Sequence, residues 1–332
     1  MRPATLIGLA AGVLLLLAPA FLASYYLGLL TKMLIFALFA MSLDLLLGYT
    51  GLPSLGHVAY FGMGAYTVAL LSLRVVKTFW VNALAGLAAP TLVALGFNLL
   101  TLRARGTYFL MITLALAQVL WGIAFGWRSF TGGDDGLPGI TRPTLAGWSI
   151  AGEIPFYYFV LIIVGVCLWL LSIVVRSPLG KALVGIRESE TRMRVLGYNV
   201  WAYQYTAAVL AAFFAGVAGI LFVYYNGYVG PAYLSVVMSG QVLLMVILGG
   251  AGTLLGPALG AGIIVLLENL LSAYTERWLT ILGIIYVAVT LFAPRGVLGI
   301  LRARLHRGGG SVSASGRLLK KVQMQGGAGR EA

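Results

Sequence analysis

Apolar residues run almost unbroken along most of the chain, parted at intervals by short clusters of Gly, Pro, Ser and basic residues. A helix needs about 20 consecutive apolar residues, within a range of about 17–25, to cross the apolar layer of a bilayer. Runs of roughly that size fall near 5–24, 33–50, 56–73, 80–100, 106–126, 156–175, 203–225, 236–250, 254–271 and 278–293. The pattern predicts an all-α polytopic integral membrane protein with about ten transmembrane helices, some short or broken. The runs at 236–250 and 278–293 are the short ones, suited to tilted, broken or re-entrant segments. The first run follows Arg2 and ends near Ala18-Pro19-Ala20, which also fits a cleaved signal peptide; nine spans would then remain. The chain divides into an N-terminal span and link (1–32), a membrane domain (33–300) carrying an inner segment at 176–202, and a tail (301–332).

Composition narrows the class. Charged residues make up 9% of the chain, against about 25% in soluble domains, and 61% of the residues are hydrophobic. A surface so poor in charge needs the lipid bilayer as its main solvent. The 44 glycines suit helices that pack backbone to backbone. The net charge of +13 invites a nucleic-acid partner, but more than half of it sits in the segment from Arg295 to Ala332, which carries +7. With no folded basic domain, no nucleic acid is expected. Placing both termini inside puts 16 of the 22 basic residues on inner segments, as the positive-inside rule requires, so the chain reads as N-in and C-in. Past His306 the Gly/Ser-rich sequence reads as a disordered basic tail on the cytoplasmic side. Cys167 stands alone in an apolar run and reads as packing.

Two connections are long. The outer one, 127–155, holds Thr131-Gly132-Gly133-Asp134-Asp135-Gly136, a dense set of turn formers without the oxygen spacing of a calcium loop. The inner one places Leu183, Ile186, Met193, Val195 and Leu196 among Arg187, Glu188, Glu190, Arg192 and Arg194, with Gly197 positioned to end a helix. That pattern predicts a short amphipathic helix, resting on headgroups or docking a cytoplasmic partner; the residues alone leave both open.

Ionisable groups inside the spans are scarce. Asp44 lies in the second span, where a charge facing lipid costs at least ~2.5–3.5 kcal/mol, so it faces the bundle or lies at the inner boundary. It is either a structural ion-pair partner or hydrogen-bonded cap, or part of a translocation pathway. The Gly51–Gly56 break before His57 resembles the interrupted helices that line transporter sites. Asp44, Gly51, Ser54, Gly56 and His57 are therefore pathway candidates, with helix packing as the competing reading. Glu268, at the outer end of the ninth span, is expected to face the interface. Gly48–Gly56 is echoed by Gly249–Gly256, where Gly249, Gly250, Gly252, Gly256 and Pro257 mark a second helix break.

No G-x-x-x-x-G-K-[ST] loop is present, no Ser/His/Asp set is evident, and neither histidine belongs to a zinc motif. The chain therefore reads as a non-enzyme with no cofactor, no metal site and no catalytic residue. A stand-alone secondary transporter or channel would need intramembrane acids, and Asp44 is the main candidate.

Gly48-Tyr49-Thr50-Gly51-Leu52-Pro53-Ser54-Leu55-Gly56-His57, Arg105-Gly106-Thr107-Tyr108-Phe109, Thr131–Leu137, Ser177-Pro178-Leu179-Gly180 and Leu248–Pro257 together resemble the LivM-type permeases of branched-chain amino acid ABC importers, in consistent order over roughly 33–300. The resemblance implies a permease subunit in a bacterial cytoplasmic (inner) membrane. It further implies a LivH-type second permease, two cytoplasmic ABC ATPase subunits and an extracytoplasmic substrate-binding protein as partners. Segment 181–197 then looks like the coupling helix that contacts the ATPase through Arg187, Glu188, Glu190, Arg192, Arg194 and Gly197. The wider importer pattern sets Glu-Ala-Ala before a glycine; here Glu190-Thr191-Arg192 precedes Gly197, so only the acid and the glycine match. Similar permeases also serve urea, short amides and other amino acids.

Overall fold

In the computed structural model, the described residues run from 3 to 275, apart from 76–77 and 146–147, with scattered positions as far as 287. The tail at 301–332 and most of the expected span at 278–293 lie outside them. The remaining nine expected spans are all helices. They are α1 (Pro3–Phe21), α2 (Ser24–Asp44, continued by a wider π turn over Leu45–Thr50), α3 (His57–Arg74), α4 (Phe79–Thr101), α5 (Thr107–Gly126), and, after the short α6 (Arg128–Thr131), α7 (Glu153–Arg176). The short helices α8 (Pro178–Glu188) and α9 (Glu190–Val195) precede α10 (Val200–Asn226), α11 (Val236–Gly249) and α12 (Leu255–Tyr274).

Among the described residues six helices are long and apolar enough to cross a membrane: α2 with its π turn, α4, α5, α7, α10 and α12. That is fewer than the ten expected, and the shortfall has physical causes. The 14 residues of α11 rise only about 21 Å at 1.5 Å per residue, against an apolar layer of about 30 Å. In α3, His57, Tyr60, Tyr66 and two glycines, Gly62 and Gly64, dilute the apolar content, which its enclosure by neighbouring helices permits. The apolar part of α1 among residues with described surroundings is Gly12–Phe21.

Two helices form the centre. The apolar windows of α2 and α10 are 72% and 78% buried, whereas those of α4, α5, α7 and α12 lie between 22% and 33%, which sets the latter around the outside of the bundle. α2 packs on α7, α10, α11 and α12, and α10 also packs on α3 and α4. Small residues set the α3–α10 distance: a Cβ on Gly219 would collide with the Phe61 carbonyl, and one on Gly64 would lie 2.7 Å from the Gly216 carbonyl. Without water to drive helices together inside lipid, such close backbone packing is a main source of association.

The expected link at 25–32 is instead helix. Only Leu22 and Ala23 separate α1 from α2, and Lys32 lies inside α2. Helices alternate direction, so the connections gather at two ends. At one end lie 51–56, 102–106, α8, α9 and the 250–254 turn. At the other, β1 (Leu137–Pro138) pairs antiparallel with β4 (Tyr228–Val229), while β2 (Thr144–Leu145) pairs with β3 (Trp148–Ser149) between them in sequence. The 127–155 connection is pinned there: Arg74 donates to the Ser129 and Phe130 carbonyls, and Thr131 donates to the Ala124 carbonyl at 2.6 Å.

Candidate functional site

The helix breaks foreseen in the two halves of the chain meet in space. At the foot of α2 the backbone widens into the π turn and then reverses at Gly51, whose φ of +73° favours glycine. Beside it lies the 250–254 turn between α11 and α12. Asp44 joins the two: its carboxylate is fully buried and accepts from the Gly252 N–H at 2.7 Å and the Leu254 N–H at 3.3 Å. Leu254 holds φ +53°, a conformation that costs a non-glycine residue of order 1–3 kcal/mol. The hydrogen bond that the Leu254 N–H donates to Asp44 holds the turn in that conformation. Gly48 is required by the approach, since a Cβ there would strike both the Asp44 carboxylate and the Gly252 amide.

Arg187 completes the junction. From the last turn of α8 its guanidinium donates to the Gly48 carbonyl, and its stem covers Gly51. The segment expected to be one amphipathic helix is thus two. Ser189 takes an extended conformation (φ −162°, ψ 100°) and its hydroxyl accepts from the Arg192 N–H, capping α9. Leu183, Ile186 and Met193 are buried, as expected of the apolar face, while Val195 and Leu196 project outward at 83% and 64% exposure. Gly197, at φ +86°, ends α9. Glu190 pairs with Arg194 at 2.6 Å and with Arg105 of the 102–106 turn at 3.5 Å; Glu188 and Arg192 are exposed.

The other pathway candidates turn toward their own neighbours. Ser54 is buried and accepts from the Gly56 N–H at 3.2 Å. His57 stacks on Phe39, and its Nε2 lies 2.8 Å from the Ser42 hydroxyl. Because Ser42 donates to the Phe39 carbonyl, His57 donates from Nε2, which leaves Nδ1 an acceptor without a hydrogen-bond partner among the described residues. Gly249, Gly256 and Pro257 pack the start of α12 on the end of α11, where a Cβ on Gly249 would meet the Gly256 carbonyl, and Gly250 turns the chain at φ +106°.

Sequence reasoning missed a second feature. Toward the opposite end of α2, α10, α11 and α12 lies an open cleft of about 740 Å³, lined among others by Ser24, Phe36, Phe222 and Met238. Glu268 faces this cleft rather than an interface, and its carboxylate lies 3.6 Å from Lys32 Nζ. Lys32 had been legible only as a basic residue between two apolar runs.

The chain matches the family described as branched-chain amino acid transport system / permease component over residues 25–294. It is 31% identical to the high-affinity branched-chain amino acid transport system permease protein LivM of Salmonella typhimurium, over 83% of this chain and 70% of that protein. The Escherichia coli LivM gives the same figures. The LivH permease of Escherichia coli is 23% identical over 80% of this chain and 91% of its own length. No solved structure matches the chain.

Proposed function

This chain belongs to the family of permease components of branched-chain amino acid transport systems, and from that premise we propose that it carries branched-chain amino acids into the cytoplasm as one membrane subunit of an ATP-driven importer. A LivH-type permease is its membrane partner, two ABC ATPases bind at the α8–α9 end, and a substrate-binding protein docks at the other. That orientation puts Arg103, Arg105 and the basic residues of 176–194 in the cytoplasm, in keeping with the positive-inside rule.

The observation that carries the reading is the junction of Arg187, Gly48 and Asp44. It ties the exposed α8–α9 segment to the feet of α2 and α12, and the far halves of those same helices wall the cleft. When the ATPases close on ATP, α8 moves with them and the bundle opens to alternate sides. Coupling of this kind requires that the two states bind the partners differently. Asp44 serves as a structural cap here, with both carboxylate oxygens engaged by backbone, which speaks against a lone ion-coupled carrier.

The test is uptake of labelled leucine, with urea and phenylalanine as competitors, in cells lacking only this chain. Loss of leucine uptake, restored by the gene, supports the reading. Leucine uptake that is unchanged, with loss of urea or phenylalanine uptake instead, moves the substrate and keeps the permease.

A further inference from the structure

The cleft between α2, α10, α11 and α12 holds an ion pair that the fold has little reason to keep. Lys32 lies about 12 Å along α2 from Ser24 at 1.5 Å per residue, and Glu268 about 9 Å before the end of α12. Both sit within the depth that lipid would otherwise claim, where charges are rare and mark functional sites. Replacing such a pair by well-packed apolar residues is often neutral or stabilising, so stability does not account for it.

Its geometry is that of a pair left open. Nζ and the carboxylate are 3.6 Å apart, beyond a hydrogen bond between charged groups at about 2.7–2.9 Å. Each side chain keeps about a quarter of its surface exposed, at 27% and 25%, and both line the cleft. Lys32 has three donors and Glu268 two acceptor oxygens, so each has capacity to spare. Phe36, Phe222 and Met238 line the same cleft, with Lys32 Nζ 5.9 Å from the centre of the Phe36 ring. So do Glu153, a second carboxylate, and Tyr25 and Asn269, whose hydroxyl and amide lie 2.9 Å apart. A positive group and a negative group side by side, with apolar side chains in the same cleft, match a molecule with adjacent carboxylate and ammonium groups and an aliphatic side chain.

The geometry points to this cleft as a binding site for a zwitterionic aliphatic α-amino acid, its carboxylate on Lys32, its ammonium on Glu268 and its side chain against Phe36, Phe222 and Met238. This inference rests on the reading of the chain as an amino acid permease. The ligand replaces one loose ion pair by two, so the charges are compensated whether the cleft is filled or empty.

The test uses the whole importer in proteoliposomes, with a cysteine reporter in the cleft. Gly28 lines it, and a Cβ there meets only the Tyr225 hydroxyl at 3.8 Å, so Gly28→Cys fits; the one native cysteine, Cys167, is buried. Leucine is expected to slow maleimide labelling of that cysteine, whereas isoamylamine and isocaproate, each lacking one of its charges, protect poorly. Lys32→Gln and Glu268→Gln should each raise the protecting leucine concentration at least ~10-fold, and Lys32→Arg should retain protection. Copurification with the ATPase subunits certifies that each variant is folded. Leucine uptake by the parent importer with unchanged protection in both neutral variants overturns the site and leaves the permease reading standing. Absence of any ATP-dependent amino acid uptake by the parent importer overturns the reading itself.

Discussion

Val195 and Leu196 project from the tip of the α8–α9 segment, large apolar side chains on a surface otherwise rich in charge. If this tip seats in an ATPase cleft, the double truncation Val195→Ala/Leu196→Ala should weaken that association without harming the fold. At about 0.8 kcal/mol per buried CH₂, removing the two branched ends forfeits at most about 4 kcal/mol. Val195 is 83% and Leu196 64% exposed, so the area still available for burial reduces this to about 3 kcal/mol, or roughly 100-fold in affinity. The assay is titration of the purified ATPase subunits onto the permease pair in nanodiscs, with leucine uptake measured in parallel. The opposite face supplies the control. Leu183 is fully buried, and Leu183→Ala should cost about 2–5 kcal/mol of stability, lowering the unfolding temperature of the permease itself. Parental affinity and parental uptake in the double truncation would refute the docking argument, and would leave the tip as an interfacial anchor resting on headgroups.

Two smaller perturbations probe the junction. Asp44→Asn keeps the shape but presents an NH₂ group to one of the two amides of Gly252 and Leu254, leaving a buried donor unsatisfied; a loss of about 1–3 kcal/mol should appear as a lower thermal midpoint in detergent, with reduced uptake. Arg105→Gln should do almost nothing to either measurement, because the Arg105 side chain is 68% exposed, such pairs contribute about 0–1 kcal/mol, and Glu190 keeps Arg194.

Lipid makes part of this fold readable from the sequence. It demands unbroken apolar helices, so the expected spans 80–100 and 106–126 differ from α4 and α5 by a residue or so at each end. The same rule misleads at Lys32. A lone cation between apolar runs reads as a loop because an unpaired charge is costly there, yet Glu268 on α12 meets that cost and α2 continues through it. Pairing between distant segments leaves no local periodicity to detect. Ser189 is a similar case: inside an amphipathic pattern it passes for a mid-helix residue, and only its extended backbone, with the hydroxyl turned to the Arg192 amide, makes it a cap. Glycines at 48–56 and 249–256 announced two helix breaks, and their echo hinted at kinship. That they lock together needed one more datum, the absence of a Cβ at Gly48 where Asp44 crosses to Gly252. A break is a local property and can be read from composition; what a break touches is set by the rest of the chain. For that reason the run of charges over 187–194 was readable by pattern, while the turn of Arg187 inward to the Gly48 carbonyl was not.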